Sequence, residues 1–448
     1  MKIAIVGGGI SGLATAFHLT RLLPGAEIVL FERAPHPGGT MRTVEREGFR
    51  FEAGGNGFLT NKPHTLALVQ AAGAEDLLLR SSDAARRRFI FNGALHRLPE
   101  SPPAFLGSRL LSLPAKLRVL AEVFVPPRRD GGEETLQSFG YRRLGRAFTD
   151  TFLDAMTAGI YASTPADLSV QAAFPAVAAL EREHGGLFRG MLARRRREAG
   201  PGGVLMSFRG GVGSFIDHLA GLLRERVRTG SPVTALARTA AGWRLEAGDV
   251  TYSADRLVLA CPAHAAAALL EPVDAGLAAE LAAIHYAPIA VVGLGYRGLD
   301  HPLDGFGLLT TSAARLPILG VLWDSSIFPD RAPEGGQTLR VMIGGLRNPE
   351  LALQSEAELV RTALRGVGAT MGCRAEPVVT FVQRWERGIP SYRIGHLGRL
   401  ERIFTAAAAL PGLYLVSNAY RGIALNDCAA SALACAGELA AGRPQSVR

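Results

Sequence analysis

The chain opens on a continuous apolar run, Lys2-Ile3-Ala4-Ile5-Val6, of the kind carried by a strand buried on both faces. After a short break comes a helical pattern, Leu13-Ala14-Thr15-Ala16-Phe17-His18-Leu19, and then a second apolar strand, Ile28-Val29-Leu30-Phe31. Strand, helix and strand within about thirty residues start a parallel α/β sheet. Similar runs return late. Pro232–Leu236, Arg256–Pro262 and Leu413–Asn418 predict further strands, and a small-residue helix from about Asn426 to Ala441 closes the chain. Between these runs the pattern changes. Residues 95–200 read as helical and proline-punctuated, whereas 276–400 carry strand signals such as Ala290-Val291-Val292-Gly293-Leu294 and Arg340-Val341-Met342-Ile343. Parts of one fold separated by about a hundred residues imply inserted domains. The fold class predicted is α/β. A Rossmann-like domain is assembled from discontinuous segments 1–75, 203–275 and 401–448, with a mixed β-sheet substrate domain over 276–400 and an inserted α-helical domain over 95–200.

The break after the first strand reads Gly7-Gly8-Gly9-Ile10-Ser11-Gly12, a G-x-G-x-x-G at Gly7, Gly9 and Gly12. Gly7 permits the tight turn, Gly9 lets a pyrophosphate approach the backbone, and Gly12 lets the helix pack against the sheet. The helix N-terminus offers unpaired N–H groups to the phosphates. Glu32, twenty residues after Gly12, can accept hydrogen bonds from a ribose. The glycine pattern follows a strand, opens a helix and ends in an acid at the right distance, so it predicts a dinucleotide site. Gly38-Gly39-Thr40-Met41-Arg42-Thr43 then resembles the G-G-x-x-R-[ST] signature of glutathione-reductase-like and amine-oxidase-like flavoproteins, which selects FAD over a nicotinamide. No second G-x-G-x-x-G follows a strand; Gly210-Gly211-Val212-Gly213 precedes a helix instead.

Charge narrows the picture less. The net charge is +9, and residues 86–200 supply +7 of it, with eighteen Arg or Lys against eleven Asp or Glu. Lys2, Lys62 and Lys116 are the only lysines. The helical region Leu106–Phe124, with Arg109, Lys116 and Arg118 among apolar residues, fits either an anionic membrane face or a solvated lid. No window offers about twenty apolar residues, so no transmembrane span is expected. Cys261, Cys373, Cys428 and Cys435 are scattered, without metal or disulfide spacing.

Further segments carry a resemblance over nearly the whole chain. They are Phe51-Glu52-Ala53-Gly54-Gly55-Asn56-Gly57-Phe58-Leu59, Arg88–His96, Gly159-Ile160-Tyr161-Ala162 with Asp167-Leu168-Ser169, Ile389-Pro390-Ser391-Tyr392 with Gly395-His396, and Asn418–Cys428. Together these resemble the FAD-dependent protoporphyrinogen/coproporphyrinogen oxidases, within the amine-oxidase-like flavoproteins. The family usually has a proline where Gly55 stands and often a serine at Gly57. The resemblance implies FAD held by Gly7, Gly9, Ile10, Ser11, Gly12, Glu32, Arg33, Gly39, Thr40, Arg42, Gly54, Gly55, Asn56, Gly57, Val233, Ile423, Ala424 and Leu425. It also implies Arg88 on a substrate propionate, a match of guanidinium fork to carboxylate, and Phe306, Leu309 and Met342 as cavity walls. The expected reaction is oxidation of a porphyrinogen by oxygen, with hydrogen peroxide formed and the flavin carrying the hydride step. No catalytic acid or base is named. The expected partners are the porphyrinogen and oxygen, not nucleic acid. A cytoplasmic location with peripheral contact on the inner face of the cell membrane, and a homodimer as in some relatives, also come from the resemblance.

Four other readings compete. Carotenoid desaturases share the N-terminal glycine pattern but not the Asn426-Asp427-Cys428 ending. An amine oxidase typically uses a lysine in its substrate domain, and no lysine follows Lys116. A coproporphyrinogen III oxidase would want more cationic anchors in its cavity, for which Arg97, Arg315 and Arg393 are candidates. A non-catalytic flavin- or porphyrin-binding protein is the remaining class.

Overall fold

The computed structural model describes residues 1–128, 130–197 and 203–446, without the side chains of 194–197. Residues 198–200, at the end of the expected helical insertion, lie outside the described residues.

The first apolar run is the strand Lys2–Val6, at the centre of a five-stranded parallel sheet. Across the sheet stand Val227–Arg228, Glu27–Phe31, Lys2–Val6, Arg256–Leu259 and Leu413–Leu415. Strand alternation explains why that run is apolar throughout. Ile3 and Ile5 point into one core with helices Ile10–Leu22, Val212–Leu222 and Leu425–Ala440. Ala4 and Val6 point into another with Ala263–Leu270, Ala275–Ala282 and His396–Ala408. Val233–Thr239 is a strand, but it belongs to a separate three-stranded antiparallel layer with Gly242–Ala247 and Val250–Ala254.

A second sheet has seven strands, in the order Val379–Pro390, Tyr286–Arg297, Gly336–Gly344, Gly320–Leu322, Gly307–Thr310, Arg88–Phe91 and Leu95–Arg97. All its neighbours are antiparallel except Gly307–Thr310 with Arg88–Phe91. The period of two decides what its third strand does. Leu339, Val341 and Ile343 pack into the core beneath helix Glu356–Met371, which leaves Arg340 and Met342 on the opposite face.

The helical region has its own core, around Leu111, Val119, Leu136, Phe139, Leu180 and Leu187. Several of its arginines serve that interior. Arg143, fully buried, pairs with Glu122 and Glu181, and Arg142 pairs with Glu134 and Glu181. Lys116 is also buried, donating to the carbonyls of Leu106 (2.7 Å) and Ser108 (2.6 Å), while Arg118 donates to those of Arg142 and Arg143. Two of the three cations that made this region look like an electrostatic membrane face are therefore turned inward. Among the described residues no helix is long and apolar enough to cross a membrane.

Candidate active site

The glycine turn lies at the C-terminal edge of the parallel sheet, where such sheets bind ligands. Gly7 has φ +110°, and a Cβ there would lie 2.9 Å from the backbone of Ala260 and Cys261. A Cβ on Gly12 would lie 2.0 Å from the Gly7 carbonyl oxygen, so only glycine lets helix and turn come together. Gly9 differs, since its Cβ would meet nothing within 4 Å. The N–H groups of Ile10, Ser11 and Gly12 belong to the first turn of the helix Ile10–Leu22 and have no intrahelical acceptor. This open, N–H-lined concavity fits a pyrophosphate.

Glu32 closes the far side. Its carboxylate accepts from the N–H of Gly8 (2.6 Å) and of Ala34 (2.8 Å), which leaves one lone pair on each oxygen for a hydroxyl donor. Ser231 N–H donates to the Glu32 carbonyl (2.9 Å), carrying half-buried Val233 alongside. The second glycine pair docks on the first turn through the Gly38 N–H and the Gly8 carbonyl (2.8 Å). Gly39, Thr40, Arg42 and Arg33 are exposed around this cradle.

The segment Gly54–Gly57 is shaped by close backbone contacts. A Cβ on Gly54 would lie 2.4 Å from the Thr40 carbonyl oxygen, and one on Gly57 would lie 2.2 Å from that of Met206. Gly55 faces open space. The closing motif binds the chain's two ends together. Asn426 donates to the Leu59 carbonyl (2.8 Å) and accepts from the Thr65 N–H (3.1 Å). Asp427 accepts from Lys62 (2.6 Å) and from the Ala424 N–H (3.2 Å) at the start of the last helix. Cys428 is buried beside Ser11, and its thiol is pushed up to about 11 by burial. Leu425 packs into the core under the glycine turn.

From this cradle a cavity of about 660 Å³ runs between the seven-stranded sheet and the helical region. Thr40, Gly54, Gly55, Asn56 and Ile423 line one part of it. Arg88, Phe306, Leu309 and Met342, expected as substrate contacts, all line its wall. The Arg88 guanidinium lies over the Phe306 ring, 5.0 Å from its centroid, and makes no ion pair among the described residues. Desolvation by the surrounding wall lowers its pKa. The other expected cofactor residues stand outside this cavity, in and around the cradle.

The structure adds residues that sequence reasoning missed. Phe148, which caps a π-helical turn Thr149–Leu153, and Phe152, within it, stack at 4.6 Å and line the cavity. Arg340, Trp385 and Asn418 also face the cavity; Asn418 opens the closing motif and Arg340 a strand-like run, but neither was expected at the site. Among the described residues the lining holds no carboxylate, imidazole, thiol or lysine.

Residues 10–440 match the family model for flavin containing amine oxidoreductases. The chain is 33% identical over 457 residues to protoporphyrinogen oxidase of Macaca fascicularis, covering 95% of each chain. It is 27% identical over 451 residues to coproporphyrinogen III oxidase of Bacillus subtilis (strain 168), again covering 95% of each. Its fold superposes on a crystal structure from Exiguobacterium sp. 255-15, provisionally named protoporphyrinogen oxidase, with a TM-score of 0.87 at 28% identity and 99% of each chain covered. The chain belongs to the flavin containing amine oxidoreductases and, within them, to the protoporphyrinogen/coproporphyrinogen oxidase family. It is an FAD-dependent oxidoreductase.

Proposed function

We propose that this protein oxidises protoporphyrinogen IX to protoporphyrin IX, a step of haem biosynthesis, with FAD in the cradle and oxygen as the final acceptor. The observation that carries this reading is a largely apolar cavity that joins the Gly54–Asn56 loop to one cation without a carboxylate partner, Arg88. Apolar walls with few polar anchors suit a large, mostly apolar tetrapyrrole.

Bound FAD supplies a two-electron acceptor. The chain's own work is positioning. Arg88, braced on Phe306, takes a propionate, while Leu309 and Met342 confine the macrocycle. With no acid or base in the lining, the proton lost at each oxidation leaves to water, and orientation carries the rate. Three oxidations remove six hydrogens from the porphyrinogen and turn three oxygen molecules into hydrogen peroxide.

Charge favours the dicarboxylate substrate over coproporphyrinogen III, which carries four propionates. Of the arginines weighed as further anchors, Arg97 pairs with Glu100 and Arg393 with Asp167 and neither lines the cavity, while Arg340, which does line it, is paired with Asp324. Arg315 does not line the cavity. Turnover of the two porphyrinogens, followed by porphyrin fluorescence, tests the reading. Faster turnover of protoporphyrinogen IX supports it, preference for coproporphyrinogen III moves the assignment to that reaction, and no turnover by flavin-loaded protein leaves a binding protein.

Peripheral membrane contact belongs to the same proposal. Leu113, Leu117, Leu120 and Phe124 form one exposed stripe, with Phe124 85% exposed and Leu106 nearby. Such a stripe favours shallow apolar insertion over charge-driven adsorption.

A further inference from the structure

The loop beside the cavity is held from behind by two side chains of the seven-stranded sheet. Trp385 Nε1 donates to the carbonyl of Ala53 (2.8 Å). Arg340 Nη1 donates to the next carbonyl, that of Gly54 (2.5 Å). Arg340 is itself fixed by Asp324, with Nε 3.0 Å from Oδ2 and Nη2 3.2 Å from Oδ1. Two successive peptide planes are thus turned the same way, carbonyls toward the sheet.

A trans peptide places its N–H opposite its C=O, and the described residues contain no cis bond. The N–H groups of Gly54 and Gly55 therefore point to the other side of the loop, where Gly55 borders open space. Among the described residues neither donates to a protein acceptor. Adjacent N–H groups aligned in this way form a small receptor for an electron-rich atom.

We propose that Arg340 and Trp385 are positioning residues that aim the Gly54 and Gly55 N–H groups at the hydrogen-bond-accepting edge of the flavin ring. The inference rests on the reading that FAD occupies this site. It deepens that reading by assigning the loop's orientation to two residues of the substrate sheet. Preorganised donors aimed at the ring favour its electron-rich state, so they act on potential as well as on affinity.

The test uses the purified holoenzyme. FAD release is followed by the fluorescence of freed flavin, and the midpoint potential of bound flavin is measured against a reference dye. Trp385→Phe removes one N–H and leaves the Arg340–Asp324 pair alone, so it keeps the test valid if Arg340→Met fails to fold. The expected result for Trp385→Phe is about three- to tenfold weaker FAD retention, the size of one lost hydrogen bond, with a more negative potential. Arg340→Lys keeps a donor and should fall between wild type and Arg340→Met. Wild-type retention and potential in both Trp385→Phe and Arg340→Lys overturn the inference, as does a loss of FAD matched by an equal loss of protein melting temperature. A wild-type protein that takes up no FAD removes the reading of the site, and this inference with it.

Discussion

The phenol of Tyr392 donates a 2.6 Å hydrogen bond to the carbonyl of Asn418. The same oxygen accepts from the Gly422 N–H at 2.8 Å. One buried side chain therefore shapes the turn that delivers Asn418 and Ile423 to the cavity. His396 stacks on the ring at 4.3 Å and makes its own bond to the Tyr420 carbonyl. The Ile389–Tyr392 and Gly395–His396 motifs, legible only as a family resemblance, are thus a brace for the closing segment. Tyr392→Phe leaves a half-buried carbonyl and a half-buried N–H without their partner, which costs about 1 kcal/mol. The thermal midpoint should drop and FAD should leave more readily; calorimetry and flavin release check both.

Arg88 should matter to substrate rather than to fold. Replacing it with alanine removes one charge-assisted hydrogen bond to a propionate, so kcat/KM should fall by about ten- to a hundredfold. Lysine keeps the charge without the fork and should recover part of the loss. Steady-state porphyrin fluorescence is the readout, and FAD content should stay at the wild-type level in both variants.

His396 predicts an acid limit on stability. Burial, helped by the nearby Arg399, lowers its pKa from 6.5 to about 4. The unfolded chain therefore binds the proton more readily than the folded one between those values, and stability falls as pH drops from 6.5 towards 4. The loss is on the order of 3 kcal/mol if this group acts alone. Denaturant unfolding at a series of pH values should show it, and His396→Gln should flatten it. Activity has a different expectation. With no titratable acid or base in the cavity lining, kcat should lack a bell between those of ordinary histidine and lysine groups.

The leucine stripe predicts membrane binding with little dependence on salt. Lys116 and Arg118 are spent on backbone carbonyls, so the contact relies on Leu113, Leu117, Leu120 and Phe124. Flotation with anionic liposomes should lift the wild type, and added salt should change this little. Changing Leu117 and Phe124 to glutamine should leave the protein at the bottom of the gradient.

The parts of the fold that were legible in the sequence share a cause. Gly7, Gly9, Gly12 and Glu32 lie within one strand–helix–strand unit, where spacing along the chain is spacing in the fold. The cavity is different. Arg88–Phe91 pairs in parallel with Gly307–Thr310 across more than two hundred residues of chain, a partnership no local periodicity contains. Arg340 looked like one cation in an apolar strand; only the register of Gly336–Gly344 puts it on the cavity face beside Met342. Pro232–Leu236 was legible as a strand, observed as Val233–Thr239, but not its place in an antiparallel layer, because strand pattern does not state its neighbour. Lys116 misled for the opposite reason, since a lysine between leucines reads as a surface charge until its carbonyl partners are seen.

The most direct measurement adds protoporphyrinogen IX to the flavin-loaded protein in the absence of oxygen and follows the flavin's visible absorption. The proposed chemistry requires that the band bleach as porphyrin fluorescence appears, and that colour return when air is admitted. Flavin that keeps its full colour while porphyrinogen remains unoxidised would contradict it.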